Sequence, residues 1–421
     1  MRICHISYSD GPFGAGRSAY QLHHQLCRHG IDSIFFTKKK TSSDKTVISF
    51  NQSNSIVANI RRNYYIKKYN NEIISNDFES NKKKFEIMSF HHHVLDTRDV
   101  LRQIPKADIY CLHWVARFFD VRIIQRLSGI APVIWRLCDM NPLTGGCHYS
   151  NGCIRFCSQC GACPALGSNN EFDISRISWK YIAAALQEII PNRFLWLAQS
   201  QWVADLVRNH PVASLFPVHL VRNGVDINIF FPRDKAIVRK SLGLPINSFI
   251  ILFINDSSGK TARKGSHFLE GIARKLKGID NLHFICMGSE SIPNIPKKFP
   301  ITNFGRQYYS LWVSLIMNSA DILIFPSMED NCPNVVLESM ASGTVVVGWD
   351  ILGVKELIQD EITGLIATNF NLDDFVTKIK FLYDNCEARQ RIAHDAWEYI
   401  KVYRNRNVQV DEFLGLVKKI L

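Results

Sequence analysis

Residues 321–350, DILIFPSMEDNCPNVVLESMASGTVVVGWD, constrain the fold more than any other part of this chain. Asp321–Pro326 is a short apolar run rich in β-branched residues, the pattern of a buried parallel strand. A polar loop, Ser327–Cys332, follows it. Pro333 suits a first helical position, where a missing N–H costs nothing. The spacing then predicts a helix over Pro333–Ser342, stopped at Gly343, and a second strand over Thr344–Gly348. Strand, loop, helix and strand in this order make a βαβ unit, with polar chemistry in the loop and the first helical turns.

Two acids give that unit its interest. Asp330 precedes the helix and Glu338 lies in its second turn. At ~1.5 Å rise per residue, Pro333 and Glu338 are separated by roughly 7–8 Å along the axis. Between them lie the unpaired N–H groups of the first turn, a natural anion site. A ligand with hydroxyls at both ends and phosphate in the middle, such as a nucleotide sugar, fits this arrangement. The plainer alternative makes Glu338 a solvated helix residue and Asp330 a loop acid or N-cap.

The spacing of the acids, with Asn334 and the turn Ala341-Ser342-Gly343-Thr344, resembles the signature of the retaining GT-B glycosyltransferases of the GT4 type, the glycosyl transferases group 1. Asp330 stands where many members have Glu, and Glu329 precedes it, so which of the two faces the sugar stays open. The resemblance implies an α/β fold of two Rossmann-like domains facing a central cleft. The expected division is an acceptor domain over 1–205, a nucleotide-sugar domain over 206–395, and terminal helices over 396–421 that return to the first domain. The turn Asn223-Gly224-Val225-Asp226 resembles the one that opens the second domain in this family.

Several roles follow from the resemblance. Gly14 and Gly16, in a glycine loop after the strand Arg2–Tyr8, correspond to a loop near donor phosphate or acceptor, with Arg17 beside them. Taken alone, this loop lacks the third glycine of a dinucleotide fingerprint, since Ala19 stands there. His113 ends the strand Asp108–Leu112, where open α/β sheets place their ligands. By resemblance it faces the acceptor and the donor sugar; the alternative is a satisfied structural histidine. Lys264 matches the lysine that grips the donor phosphates. Ser258 stands where the partner arginine belongs, leaving Lys260 or Arg263 to supply that half of the clamp. Arg306, in the loop Phe304–Gln307, falls where the nucleotide base lies. Asp330 and the N–H groups of Asn331 to Asn334 are expected to hold sugar hydroxyls, and Glu338 the ribose. No catalytic metal is expected.

Five cysteines fall within residues 147–163, inside a Cys-rich insertion over 144–167. Cys160-Gly161-Ala162-Cys163 is a C-x-x-C knuckle, and Cys147 with Cys153 can supply a second pair. Four thiolates around Zn²⁺ would fix a loop too short and polar to fold by burial. An iron–sulfur cluster, free thiols or a labile disulfide are the alternatives, and His148 is a substitute ligand. The insertion is similar to one in a bacterial surface-polysaccharide subgroup of the family, and Cys157 is extra to that pattern.

Composition sets the outer limits. The net charge of +12 calls for an anionic partner: phosphorylated substrates, lipid headgroups or nucleic acid. Cations interleaved with aromatics over Arg61–Tyr69 suit an anionic membrane surface, or equally a solvated basic segment. Nucleic acid ranks last, because no reader motif accompanies the charge. The run His91-His92-His93 is read as incidental, because consecutive side chains do not converge. There is no stretch of 18 uninterrupted apolar residues, and the N-terminus reads as a strand and glycine loop in place of a signal peptide. Location in the cytoplasm, at the inner face of the membrane, is expected. These features favour transfer from a UDP- or GDP-sugar to a glycan or undecaprenyl-diphosphate-linked acceptor. A second reading is a zinc-stabilised binding protein on a GT-B-like scaffold that has lost catalysis.

Overall fold

The computed structural model describes residues 1–11, 14–51, 60, 88–91, 97–118, 120–254, 262–288 and 295–421. The basic segment Arg61–Tyr69, His92, His93, Ser258 and Lys260 lie outside the described residues. Two compact units emerge, Met1–Val221 with Val410–Leu421, and Arg222–Gln409.

The first unit is built on a parallel sheet of seven strands: β1 (Arg2–Ser9), β2 (Asp32–Lys39), β3 (Val47–Ser49), β4 (Ile109–Leu112), β5 (Val133–Leu137), β6 (Phe194–Ala198) and β7 (Val218–Leu220). Their order is β3-β2-β1-β4-β5-β6-β7. Alternate residues serve opposite faces, as the pleat requires. Cys4 and Ile6 join Trp135 and Phe118 on one side, while Ile3, Cys111 and Ile134 pack with Leu22, Leu26 and Phe413 on the other. Phe413, Leu416 and Val417 come from the last helix, Arg406–Ile420, so the chain end closes one face of this sheet.

The expected boundaries at 205 and 395 both move. β7 pairs with β6 and extends the first sheet to Leu220, because backbone pairing with β6 sets the conformation of this half-buried Val-His-Leu segment. At the other end, the helix Cys386–Tyr403 buries Ile392, Ala396 and Ile400 in the second core. Only the segment from Val410 returns to the first unit.

The second unit carries six parallel strands: β8 (Phe249–Ile254), β9 (Leu282–Met287), β10 (Ile301–Asn303), β11 (Ile322–Phe325), β12 (Val345–Trp349) and β13 (Leu365–Ala367), in the order β10-β9-β8-β11-β12-β13. β8, β9, β11 and β12 are near-continuous apolar runs because helices cover both faces of such a sheet. In each sheet the strand order reverses once, between β1 and β4 and between β8 and β11. Ligands of open α/β sheets bind at the carboxyl ends of strands flanking such a reversal. The loops after β1, β4, β8 and β11 are therefore the places to look for chemistry.

Candidate active site

In the second unit, the segment after β8 and the loop after β11 are joined by charge. Lys264 Nζ donates to Asp330 Oδ2 at 2.6 Å. Arg263 Nη1 donates to the Glu329 carbonyl at 2.8 Å and reaches Asp330 Oδ2 at 3.4 Å. The backbone is joined too, with Met328 N–H donating to the Arg263 carbonyl at 2.7 Å. Asp330 is only 7% exposed. Burial alone would raise its carboxyl, but Lys264 and Arg263 outweigh that and hold it below the ordinary carboxylate value. Two cations thus face this one buried carboxylate.

Two glycines let the backbones meet. Gly265 has φ +73°, and a Cβ there would lie 1.8 Å from the Pro326 carbonyl oxygen. Behind the loop, a Cβ on Gly353 would lie 1.9 Å from the Asp330 carbonyl and 2.2 Å from that of Asn331. Both positions exclude any side chain.

The helix after the loop runs Asn334–Ala341, and Pro333 is its N-cap, without a side-chain capping bond. Pro333 is thus one residue outside the helix, and its extended backbone still accepts from Val336 N–H at 3.1 Å. No side chain caps the helix tip, as an anion site requires. Asn334 Oδ1 accepts from Asn223 Nδ2 at 3.0 Å, which ties the turn of residues 223–226 to the helix tip. Glu338 is 3% exposed, which rules out the solvated-residue reading. Asn331 is buried, and its backbone N–H bonds the Asp330 carboxylate. Glu329 is half-buried, and Arg306 is exposed on the loop after β10.

In the first unit, the helix begins at Gly14 and runs to Arg28, so Gly14 and Gly16 lie in its first turn and not in a loop ahead of it. Gly16 is needed for packing, since a Cβ there would lie 2.6 Å from the Ser9 carbonyl. His113, just past β4, is buried, and both ring nitrogens are engaged: Nε2 lies 2.9 Å from His5 Nδ1, and Nδ1 lies 3.4 Å from Arg136 Nη1. Arg136 Nη2 also donates to Ser18 Oγ at 2.9 Å. A guanidinium only donates, so His113 accepts at Nδ1 and passes its Nε2 proton toward His5. The remaining His5 proton then sits on Nε2, which finds no partner among the described residues. Burial first, then neighbouring imidazoles and Arg136, holds both histidines well below their ordinary range, so both are neutral. His5 and Arg136 escaped the sequence reading. A charged or titratable residue inside an apolar strand, as in both β1 and β5, is the signal that could have found them.

The Cys-rich insertion contains only short 3₁₀ turns, Asn141–Leu143, Arg155–Ser158 and Pro164–Leu166. Cys147, Cys153, Cys160 and Cys163 line one small cavity with Gly145 and Phe156, while Cys157 is exposed. His148 is committed elsewhere: Nδ1 pairs with Asp139 at 2.6 Å and Nε2 with Ser89 Oγ at 2.9 Å. It is not a substitute ligand. His91 is also structural, its Nε2 bonding the Thr144 carbonyl at 2.8 Å. Gln159, Cys160 and Ala162 all have positive φ, at 75°, 56° and 41°. Left-handed backbone costs roughly 1–2 kcal/mol for each non-glycine residue. The adjoining apolar cluster of Cys163, Leu166 and Ile174 offsets a cost of about this size, at about 1.5–3 kcal/mol for each fully buried aliphatic side chain.

Known proteins share this architecture. Residues 249–385 match the family model for glycosyl transferases group 1. Among curated relatives, the D-inositol 3-phosphate glycosyltransferase of Paenarthrobacter aurescens is 26% identical over 254 residues, covering 56% of this chain and 60% of the relative. The chain spans about half the length of the curated relatives it matches. Two solved structures align over the whole chain. Sucrose-phosphate synthase from Thermosynechococcus elongatus gives a TM-score of 0.66 at 13% identity, covering 100% of this chain and 99% of that one. Anabaena HepE in complex with UDP gives 0.63 at 14% identity, covering 100% of both. The fold is therefore GT-B, and the matched segment 249–385 contains the Lys264–Asp330 pair and the helix bearing Glu338.

Proposed function

We propose that this protein is a retaining glycosyltransferase of the GT4 type, moving a sugar from a nucleotide-diphospho-sugar to an acceptor that carries phosphate. The observation that carries the proposal is Lys264 and Arg263 converging on Asp330 beside the uncapped tip of the helix Asn334–Ala341. Breaking the anomeric C–O bond builds negative charge on the departing diphosphate. Preorganised cations and a helix N-terminus stabilise such charge where it develops. When the diphosphate arrives, Lys264 shares its charge between it and Asp330, whose Oδ1 takes up a sugar hydroxyl. Glu338 holds the ribose, and Arg306 lies toward the base.

Retention follows if the acceptor attacks the face the diphosphate leaves and the diphosphate takes the acceptor's proton. Neither Asp330, tied to two cations, nor Glu338, assigned to the ribose, is then asked to act as a nucleophile. In the first unit, the chain of Arg136 and the neutral His113 and His5 orients the acceptor.

A UDP-sugar donor is supported by the UDP complex of HepE, and a phosphate-bearing acceptor by the name of the P. aurescens relative and by the net charge of +12. A sugar phosphate and an undecaprenyl-diphosphate-linked glycan of surface polysaccharide both meet that description. The inactive-scaffold reading is not favoured, because the match to group 1 transferases includes the charged site. The deciding experiment offers UDP-, GDP- and ADP-sugars to the purified protein. A functional donor raises the melting temperature by mass action and releases nucleoside diphosphate when acceptor is added. Failure of every donor on both counts overturns the reading.

A further inference from the structure

We propose that Cys147, Cys153, Cys160 and Cys163 form a structural zinc site that holds the insertion 144–167 in place. Four observations converge on it. The four cysteines line a single cavity, although they come from separate turns of a loop with no helix or strand of its own. Backbone N–H groups lie near two of the sulfurs: Gly145 by Cys160, and Ala165 by Cys163. Such donors stabilise a thiolate and are what a metal-bound sulfur needs around it. The knuckle has the left-handed backbone described above, with Gly161 (φ +96°) so close to Glu171 that a Cβ would meet its carbonyl at 2.2 Å. Finally, Arg155 lines the cavity, and Arg155 and Arg176 both pair with Glu171, at 3.3 and 2.7 Å, so two cations face one acid beside a site of four thiolates and one divalent ion.

Cys147 and Cys163 are within hydrogen-bonding reach of each other. No three of the quartet's sulfurs lie within 4.8 Å of one another, so binding requires the loop to close around the ion. Among the described residues, the trio that does lie that close is His5, Cys111 and His113. It is the poorer site, since the Arg136 guanidinium at 3.4 Å from His113 repels a cation and the His5–His113 bond occupies ligand atoms. Zinc suits the quartet because it is thiophilic, tetrahedral and redox-inert. Each thiol loses its proton to solvent as the ion binds. With all four positions filled by sulfur the ion has no open site, so its role is to hold structure.

The test uses the full chain, purified under reducing conditions, with elemental analysis, intact mass and thiol counting. About one zinc per chain is expected, retained in Cys157→Ser and lowered at least roughly tenfold in Cys160→Ser and Cys163→Ser. Should those variants not fold, cobalt exchanged into the wild-type protein must give the intense sulfur-to-cobalt absorption of a tetrahedral thiolate site. Equal loss of zinc from Cys157→Ser overturns the proposal. So does a Cys147–Cys163 disulfide seen as the loss of two hydrogens in the intact mass, or the absence of both zinc and a cobalt–thiolate band. The glycosyltransferase reading is tested separately by donor binding, so either proposal can fail alone.

Discussion

Lys264 Nζ stands 2.6 Å from Asp330 Oδ2, a hydrogen-bonded ion pair between residues 66 positions apart whose carboxylate is almost wholly removed from water. The pair welds the segment after β8 to the loop after β11. It also places the lysine assigned to the leaving diphosphate on the acid assigned to the sugar.

Lys264→Ala leaves Asp330 with the more distant Arg263 cation, at 3.4 Å, and the Asn331 N–H. We expect a loss of about 1–3 kcal/mol of stability, the range for a buried acceptor deprived of its partner. Turnover should fall about 10²–10³-fold if Lys264 stabilises the departing diphosphate. The double variant Lys264→Ala/Asp330→Ala recovers stability and not turnover. Urea denaturation alongside a transfer assay separates the two effects, and normal turnover in Lys264→Ala removes its assigned role.

Glu338 is buried on the helix and assigned to the donor ribose. Glu338→Gln keeps its shape but removes the charge. The expected outcome is a higher donor KM together with slower turnover and little change in melting temperature. Wild-type kinetics in this variant would refute the assignment.

Acid should weaken the protein well before carboxylates titrate. Burial, helped by neighbouring charges and imidazoles, holds His5 and His113 far below 6.5, and burial brings His23 and His210 to about 4. In the unfolded chain all four protonate near 6.5, so the unfolded state binds more protons below that pH. Stability is full above pH 6.5 and falls as pH drops toward the folded values, by up to about 1.4 kcal/mol per pH unit for each histidine. Urea midpoints at pH 7.5, 6.0 and 5.0 follow the loss. His210→Gln should flatten the slope, and an unchanged slope would show that this histidine is not held neutral.

Gly265 bears on the weld itself. Gly265→Ala must either shift Pro326 or abandon φ +73°. The strain should cost at least about 1–3 kcal/mol, and the displaced Lys264 should weaken donor binding as well. Thermal melting with and without nucleoside diphosphate distinguishes a purely structural effect, which leaves the ligand-induced shift intact, from the predicted one, which shrinks it.

Much of this was legible in the residues. The run 321–350 gave β11, the helix and β12 to within about two residues, because apolar β-branched strands and a Pro/Gly-bounded helix carry strong local signals. Asp330 and Glu338 stood out by their spacing, and Lys264 through the family resemblance. Their pairing was not, since Lys264 and Asp330 meet only through the strand order β8-β11, a long-range fact. β7 was missed because a three-residue strand hardly alternates, and its neighbour decides its state. The His113 environment was missed for a related reason. His5 belongs to β1 and Arg136 to β5, and only the sheet order lines them up beside β4.

Gly353 leaves the Asp330 loop no room to retreat, just as Gly265 leaves it none to advance. Held front and back by main chain, the loop acts as a fixed anvil. Relatives that differ in sugar preference should therefore differ in the side chains on the loop, as at half-buried Glu329, while the path of the backbone from Pro326 to Pro333 is kept. Re-tuning the donor becomes a matter of exchanging rim residues, and transplanting the loop is unnecessary.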